Sequence, residues 1–449
     1  MKDIMAQPSQ IGSGSASSAP SLWAQFFGYL TADGLNYLLG FAIYGWLIRI
    51  LTDRQYGNLS VATSIYQVLM MVTALGLDLI GPRLITDAGG DASHIAQRGL
   101  RIRMAVACLV CGPVTAVVAF FYLRQGQVDV ATVVIAGFCM VLARALDVTY
   151  LAVALGAPGA LARTRALGLG LFLAALFVCK LIIPHYVWIV PILNAVGLTI
   201  GRYQLMAILR KRASQRITPP GLATPTMYIL RQGAKAGSGQ LLLFILQGLD
   251  VVLLARYVPA ESVGQYAMVS RLYLFGTAVL ACLLNTYIPS LIAVAQDANA
   301  LTRLFRRFML TSTAIGVLGG AVFWVAAPFT CELLGHRQLA IVHGISPLFG
   351  ILFLIMAVCN PFLSFLPSLH RSGTYLVGIC AGTLLLAGID LVLMPRLGVT
   401  GAAIGQVAAT TFLALFMARG YWNYIRGLRR TGVTGSSIEP SQVRERVPA

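Results

Sequence analysis

Residues 254–292 read LARYVPAESVGQYAMVSRLYLFGTAVLACLLNTYIPSLI, and residues 47–85 read LIRILTDRQYGNLSVATSIYQVLMMVTALGLDLIGPRLI. The two stretches align without a gap at a constant offset of 207, and ten of the 39 positions are identical. The identities include one glycine pair, Gly57 with Gly264, and one proline pair, Pro82 with Pro289. Glycine and proline are not bulk apolar residues, so apolar composition alone does not explain the match. A repeat of this length indicates two homologous halves.

The composition places the chain in a membrane. Fifty-eight percent of the 449 residues are hydrophobic and only 11% are charged, whereas soluble domains carry roughly 25% charged residues. The sequence therefore predicts an all-α polytopic membrane protein. In a membrane chain, two homologous halves are typical of secondary transporters, in which the binding site lies between the halves.

Twelve segments have the length and apolar character of a spanning helix, which needs about 20 residues. They cover residues 22–50, 58–82, 102–123, 129–152, 161–183, 186–209, 233–257, 264–290, 307–329, 342–366, 373–394 and 401–423. The repeat aligns the first two with the seventh and eighth, so each half is predicted to contain six helices. Because six is an even number, both halves start on the same side, and the repeat is parallel.

The distribution of basic residues predicts the orientation. With the N-terminus inside, the inner links and tails receive 25 of the 33 Lys and Arg residues, which predicts that both termini are cytoplasmic. Most of the net charge of +18 then comes from basic residues on the inner side, where they would contact anionic phospholipids. Nucleic-acid binding is not expected. The predicted parts are a disordered cytoplasmic tail (1–21), the first bundle (22–209), a basic cytoplasmic linker (210–231), the second bundle (232–424) and a cytoplasmic tail (425–449).

Several glycines and prolines fall where the predicted helices turn or bend. Gly57 and Gly264 are predicted to close the outer turns, where glycine supplies backbone freedom. Pro82 and Pro289 lie near inner helix ends, where proline acts as a hinge or simply terminates the helix. The last helix pair carries the turn candidates Pro395, Gly398 and Gly401.

Three segments carry a resemblance to a known family: residues 51–60 (LTDRQYGNLS), 250–266 (DVVLLARYVPAESVGQY) and 393–404 (LMPRLGVTGAAI). Their order and spacing resemble the Wzx-type polysaccharide and oligosaccharide flippases of the multidrug/oligosaccharidyl-lipid/polysaccharide (MOP) superfamily. The resemblance implies a V-shaped pair of bundles, like that of the multidrug-and-toxin extruders (MATE transporters), in a bacterial inner membrane. It also implies alternating access and a cargo of undecaprenyl-pyrophosphate-linked oligosaccharide, moved from the inner to the outer leaflet.

Such a cargo carries a pyrophosphate and a polar glycan, so the protein must offer a wet cationic cavity. Charges within spanning helices are the candidates, because a charge at mid-bilayer is costly. Arg271 lies about 15 Å along its helix from the outer end, near the midplane. Arg144 and Lys180 would complete a ladder of cations at three depths, and Lys235 is a fourth candidate near the inner interface.

Alternative roles accompany these charges. Arg271 could be part of a fixed ion pair, Arg144 and Asp147 could neutralise each other, and Lys180 and Lys235 could extend to the membrane interfaces. Asp33 and Asp250 are predicted counter-charges. Alternatively they titrate in coupling to a proton or sodium gradient or the membrane potential. Asp78 and Asp390 lie near helix ends, where a structural role is expected.

Two other functions compete with the flippase hypothesis. A MATE-type drug antiporter would use acidic or aromatic sites for cations, whereas the interior charges here include several strong cations. A membrane-embedded polymerase or transferase would need catalytic groups, and the sequence contains no DxD, no HExxH and no serine-based elbow. We therefore expect no catalytic residue, no metal site and no cofactor. The expected partners are the lipid-linked oligosaccharide and the polysaccharide polymerase and export machinery.

Overall fold

The computed structural model describes residues 22–78, 81, 85, 92–154, 158–214, 226–294, 297–333, 340–368 and 372–430, and this part of the chain consists of helices and the turns that join them, without strands. Its helices are α1 (Leu22–Ile50), α2 (Asp53–Ala74), α3 (Ala92–Val106), α4 (Gly112–Arg124), α5 (Val128–Ala145), α6 (Thr149–Ala154), α7 (Pro158–Val178), α8 (Ile189–Ser214), α9 (Thr226–Leu254), α10 (Ala260–Ala293), α11 (Ala298–Leu333), α12 (Ala340–Ser368), α13 (Ser372–Leu397) and α14 (Val399–Arg430). A π-helical turn, Ala107–Cys111, joins α3 to α4. The predicted all-helical fold class is confirmed.

Local sequence explains several helix boundaries. Thr52 and Gln55 form a capping box at the start of α2, which satisfies backbone N–H groups that the helix leaves free. Asp297 accepts hydrogen bonds from the backbone N–H groups of Asn299 and Ala300 at 2.8 and 3.0 Å, and these bonds lower the pKa of its carboxyl. The π-helical turn precedes Pro113, whose missing N–H prevents regular helical bonding.

The chain is a multi-pass membrane protein. Nine of the described helical segments are long and apolar enough to cross a membrane, and ten are if a span bent by 44° in α9 is counted. The predicted number of twelve stays a prediction. By position, α1 and α2 would supply the other two. Helix α2 carries the buried polar residues Ser60, Thr63 and Ser64, and a helix enclosed by protein need not be apolar.

The largest core that the two halves share lies at the predicted outer end. One apolar cluster joins both halves at the predicted outer end, for example Leu47 and Leu59 with Val263 and Phe349. Towards the predicted inner end, the second half has its own cluster around Phe305. The first half has two clusters there, of which the innermost also includes Ile229 from the start of α9. The halves are therefore packed together near the outer end. Near the inner end each half has its own cluster, and α9 also contacts the first half, where a Cβ added to Gly76 would lie 2.4 Å from the backbone N of Gly237.

Two glycines form a backbone-to-backbone contact between the halves. A Cβ atom added to Gly57 would lie 2.0 Å from the carbonyl oxygen of Ala260, and one added to Gly264 would lie 2.2 Å from the carbonyl oxygen of Asp53. Asp53 and Ala260 are themselves separated by the repeat offset. The contact is thus reciprocal, as expected when two parallel repeats face each other across an approximate two-fold axis. We call it the glycine seam.

The glycine seam changes the role assigned to these residues. Gly57 and Gly264 were predicted at turns, but both lie in the first turns of α2 and α10. Neither is among the described residues with positive φ. Glycine is therefore required here because two backbones approach so closely that a side chain would not fit. Its backbone conformational freedom is not used. Gln265 adds a 3.0 Å hydrogen bond from its Nε2 atom to the carboxylate of Asp53 beside the seam.

Candidate functional site

Arg271 lies on α10 where the two halves meet, and its side chain lines two neighbouring cavities. Its guanidinium lies over the ring of Tyr44, 5.6 Å from the ring centroid. Within the part of the chain that the structure describes, no carboxylate forms an ion pair with Arg271. A deep arginine held by an aromatic face, without an acidic partner, can receive an anion.

The first cavity lies within the first half and measures about 110 Å³. It is enclosed by α1, α2, α7 and α8, and Arg271 closes it on the side of the second half. Two of its polar atoms, the hydroxyl of Tyr56 and the Oδ1 of Asn194, are buried and have no hydrogen-bond partner among the described residues. Tyr56 itself is only 1% exposed.

The second cavity lies between the halves and measures about 190 Å³. It shares Arg271 and Ser60 with the first cavity, and Ser64, Gln67 and Ser270 give it further polar groups. Both cavities therefore meet at one guanidinium. The described side chains that line them include no carboxylate. Together they form a space lined by apolar surfaces and several polar groups, in which Arg271 is the single positive charge among the described lining residues, and we call it the central site.

Arg144 and Asp147 do not form an isolated pair. Arg144 binds both Asp147 and Asp78, Arg103 binds Asp78 at 2.9 Å, and Arg202 binds Asp147 at 3.3 Å. This ionic cluster of three arginines and two aspartates ties α2, α3, α5 and α8 together at the predicted inner end of the first half.

The ionic cluster is mostly structural in its contacts. The side chain of Arg103 is fully buried, and it also donates to the backbone carbonyl oxygens of Ala74 and Asp147. Asp147 additionally accepts from the backbone N–H and the hydroxyl of Thr149. Arg144 forms ion pairs with the two carboxylates of the ionic cluster. It does not line the central site.

The ionic cluster yields a stability prediction. Asp147→Ala leaves Arg144 and Arg202 without a shared carboxylate in a largely buried place, and breaking such a pair costs about 3–5 kcal/mol. We expect a clear drop in the melting temperature of the purified protein in detergent. The double variant Arg144→Ala/Asp147→Ala should lose less than the sum of the two single variants, because it removes one charge of each sign.

The matched control for the ionic cluster is Asp129→Ala, since Asp129 is an exposed aspartate at the start of α5. Its melting temperature should stay near that of the unsubstituted protein. If Asp147→Ala melts like Asp129→Ala, the ionic cluster does not hold the first half together.

The other predicted cations lie elsewhere or outside the described side chains. Lys180 is exposed in the turn that follows α7 and lines neither cavity of the central site. The side chains of Lys235 and Asp33 lie outside the described residues, although their backbones belong to α9 and α1. The expected ladder of Arg144, Lys180 and Arg271 is therefore not brought together in one cavity. The reason is that Arg144 and Arg271 lie on different helices and Lys180 lies in a turn, so the packing of these segments gives each side chain different surroundings.

The second half contains two buried carboxylates. Asp250 on α9 is 1% exposed and accepts hydrogen bonds from the Tyr266 hydroxyl and the backbone N–H of Val251. Asp390 on α13 is fully buried, and neither of its oxygens has a hydrogen-bond partner among the described residues. Both lie around Tyr266 within electrostatic range of each other. Two unpaired negative charges buried this deeply would be very costly, so a proton or a cation must compensate them.

The remaining hinge and turn candidates take several positions. Gly398 forms the turn between α13 and α14 with φ +54°. Gly401 packs against α13, where an added Cβ would lie 2.7 Å from the carbonyl oxygen of Leu393. Pro395 is exposed within the last turn of α13. Pro289 lies within α10, with its side chain outside the described residues, and Pro82 lies outside them altogether.

Sequence reasoning missed several residues of these sites. Asp78, expected to serve a helix end, joins the ionic cluster, and Asp390, also expected at a helix end, is buried in the second half. Tyr56 and Asn194 gave no signal, because a tyrosine or an asparagine in a membrane helix is common. The sequence also did not predict that α2 ends in a break at Leu75 and Gly76, where φ is 50° and 60°.

Comparison with known proteins agrees with this architecture. A family model described as polysaccharide biosynthesis protein matches residues 22–295, whereas no curated protein matches the sequence. An inward-facing multidrug resistance MATE transporter of the MOP superfamily superposes with a TM-score of 0.71 at 12% identity, over 91% of this chain and 100% of that chain.

Two further solved structures have the same fold. The lipid II flippase MurJ in an inward closed conformation gives a TM-score of 0.68 at 10% identity, over 92% of this chain and 94% of that one. A MOP superfamily transporter from Pyrococcus furiosus, described as having a binding pocket of reverse polarity that suggests a different function, gives 0.65 at 14% identity, over 91% and 96%. The predicted resemblance is confirmed: the family model identifies the polysaccharide biosynthesis family, and the solved structures show that the chain has the fold of MOP superfamily transporters.

Proposed function

This chain belongs to the polysaccharide biosynthesis protein family, and from that premise we propose that it is a flippase for undecaprenyl-pyrophosphate-linked oligosaccharide repeat units. It moves them from the inner to the outer leaflet of a bacterial inner membrane during the synthesis of surface polysaccharide. Both termini face the cytoplasm in this proposal. Polymerase and export machinery would act on the cargo after it has been moved.

The observation that carries the proposal is Arg271 in the central site. Its side chain lines two cavities that contain hydroxyl and amide groups, and it forms no ion pair with a carboxylate among the described residues. The pyrophosphate of the cargo needs such a cation, because a phosphate cannot enter hydrocarbon unpaired. A single cation in the cavity, as opposed to a cage of several, also suits release on the far side.

Alternating access follows from the glycine seam in this proposal. In the present arrangement the halves are packed together at the predicted outer end. The cargo would enter from the inner leaflet and bind Arg271. Separation of Gly57 from Gly264 would then open the outer side. The lipid tail stays in the bilayer while the head group crosses between the halves.

The direct test uses purified protein in proteoliposomes that contain the lipid-linked intermediate accumulated by cells lacking the protein. A membrane-impermeant glycosidase added outside cleaves only the outer-leaflet glycan. Flipping should raise the cleaved fraction from the outer-leaflet share to nearly all of the lipid. A cleaved fraction equal to that of protein-free vesicles would reject the proposal.

We further infer that a proton or sodium gradient is coupled to transport through Asp250 and Asp390. Both carboxylates are buried in the second half, and neither is among the described residues that line the two cavities of the central site. A cation or proton entering there would neutralise charge that the described protein side chains leave uncompensated. Gly405 permits this packing, since an added Cβ would lie 2.2 Å from the Oδ1 of Asp390.

Asp390→Asn should therefore remove the acceleration of flipping by an imposed gradient while preserving cargo binding. The amide keeps the shape of the side chain and cannot change charge. The measurement is the flipping rate in the same vesicles with and without a proton or sodium gradient. Asp297→Asn, an exposed helix cap outside the spans, is the control and should keep the gradient response. An unchanged response in Asp390→Asn would show that this carboxylate is not the coupling group.

A MATE-type antiporter for small molecules is the second candidate. The buried carboxylates of the second half favour it, because acidic groups suit cation exchange. The absence of a carboxylate among the described residues lining the central site favours the flippase. Export of cationic dyes from the vesicles, with no flipping of the lipid-linked intermediate, would select the antiporter.

A further inference from the structure

We propose that a third cavity, at the predicted outer end, binds the headgroup of phosphatidylethanolamine from the outer leaflet and that the bound lipid holds the glycine seam closed. The cavity measures about 320 Å³, and ligand pockets typically measure roughly 300–1,000 Å³. It shares no described lining residue with the central site. The inference therefore concerns a regulatory lipid and does not depend on which cargo is transported.

The first step of the argument concerns the position of the cavity. It is enclosed by the first turns of α2, by the turn between α4 and α5, and by the turn between α9 and α10. Gly57 and Ala260, which meet in the glycine seam, both line it. A molecule in this cavity contacts both halves and would lose one wall when the seam opens. Because a ligand favours the state that it binds more tightly, the headgroup would favour the closed outer end.

The second step concerns two opposite charges. Arg54 and Asp129 both line the cavity, and neither forms an ion pair with a described residue. The guanidinium of Arg54 can bind a phosphate through paired N–H groups, and the carboxylate of Asp129 can accept hydrogen bonds from an ammonium. A headgroup in which a two-carbon link joins a phosphate to an ammonium can bind both side chains at once.

The third step concerns the uncharged polar groups. Asn58 and Gln127 add two amides to the lining, and amides donate hydrogen bonds to phosphate and ester oxygens. Ala255 lines the cavity from the second half. Its carbonyl oxygen lacks the usual helical hydrogen bond, because Pro259 stands four residues later and has no N–H. The first half thus supplies donors for the phosphate, and the second half supplies an additional acceptor beside the cavity.

The fourth step concerns the membrane. Val128 lines the cavity and is 54% exposed. The neighbouring end of α4 exposes Phe120, Phe121 and Leu123, and the guanidinium of Arg124 lies over the Phe120 ring, 5.1 Å from its centroid. An arginine that covers exposed apolar surface in this way marks the level at which a helix reaches the headgroups. A lipid whose tails lie along α4 would therefore have its headgroup at the cavity.

The first measurement is the affinity of the purified protein in detergent for single phospholipids, by native mass spectrometry. We expect phosphatidylethanolamine to bind roughly 5-fold or more tightly than phosphatidylcholine or phosphatidylglycerol. The choline nitrogen cannot donate a hydrogen bond, and the glycerol headgroup carries no cation. Arg54→Gln/Asp129→Asn should remove this preference. In detergent without lipid, this variant should melt like the unsubstituted protein, because both side chains are exposed.

The second measurement is thiol cross-linking across the glycine seam in Asp53→Cys/Gln265→Cys, in an otherwise cysteine-free protein. The yield should be higher in phosphatidylethanolamine nanodiscs than in phosphatidylglycerol nanodiscs, and Arg54→Gln/Asp129→Asn should make the two yields equal. Arg256→Gln/Glu261→Gln is the matched control and should keep the difference. Arg256 and Glu261 are exposed near the seam without lining the cavity, and Glu261 is the repeat equivalent of Arg54.

Three results would overturn the headgroup site. The first is equal affinity for the three lipids, and the second is a preference that survives in Arg54→Gln/Asp129→Asn. The third is an equal cross-link yield of the parent protein in the two kinds of nanodisc. Soluble glycerophosphoethanolamine added to phosphatidylglycerol nanodiscs should not raise the yield, because it has no tails to lie along α4. A rise to the phosphatidylethanolamine level would reject a lipid as the ligand.

Discussion

Replacement of Arg271 by alanine is expected to reduce flipping to the rate of protein-free vesicles while the protein remains folded and inserted. The guanidinium is the cation that both cavities of the central site share. A hydrogen bond to a charged group contributes about 1.5–3 kcal/mol, so the loss of two such bonds to a phosphate corresponds to roughly a 100-fold or greater loss of affinity. Binding of undecaprenyl diphosphate and flipping of the intermediate are the two measurements.

Two variants make the Arg271 result specific. Arg271→Lys keeps the charge but loses the planar fork, so partial activity is expected. Arg256→Ala removes an exposed arginine at the outer turn between α9 and α10 and should leave flipping unchanged. The melting temperature of Arg271→Ala should not fall, because removing a deep cation that has no acidic partner removes a desolvation cost. Retained flipping by a folded Arg271→Ala protein would eliminate the central role of this residue.

Gly57→Ala is expected to give the second large effect. The added Cβ would lie 2.0 Å from the carbonyl oxygen of Ala260, and a backbone atom cannot rotate away as a flexible side chain can. Overpacking typically costs about 1–3 kcal/mol, which shifts the balance of states roughly 5- to 150-fold away from the arrangement closed at the outer end. Flipping should fall accordingly, because the cycle requires that arrangement for entry from the inner leaflet.

The position of the glycine seam can be measured directly. Cysteines at positions 53 and 265 replace side chains that are hydrogen bonded at 3.0 Å. In an otherwise cysteine-free protein, a short bifunctional thiol reagent should cross-link them. Gly57→Ala should lower the yield. Gly57→Ala/Gly264→Ala should lower it by less than the two single effects together, since one opening relieves both contacts.

The control for the glycine seam is Gly388→Ala on α13, because no atom lies within 4 Å of the position of its added Cβ. This substitution should preserve both flipping and the cross-link. A high cross-link yield in Gly57→Ala would mean that the seam tolerates a methyl group and does not control access.

The repeat shows how far sequence reasoning reached. The constant offset between residues 47–85 and 254–292 indicated two parallel halves, and the structure pairs Gly57 with Gly264 across that relation. The sequence identified these glycines without giving their purpose. A glycine can provide backbone conformational freedom, or it can allow two backbones to approach closely. Only the position of the partner helix shows which of these applies.

The charged residues show the complementary limit. Arg271 could be placed at mid-bilayer by counting residues, because depth along a helix follows from a fixed rise. Its lack of an acidic partner could not be predicted, since partners come from other helices. The ionic cluster illustrates this: Asp78, Arg103, Asp147 and Arg202 belong to four separate parts of the chain, and their mutual distances depend on how the helices pack.

The sequence by itself determined the membrane environment and the helical class, and it predicted the two halves and the depth of the central arginine. Each of these depends on composition, on the internal sequence repeat or on the number of residues along one helix. The tertiary structure alone decided which charges pair, which glycines touch, and which polar groups of the first half are left without a partner. These properties depend on contacts between helices far apart in sequence, and no local pattern records them.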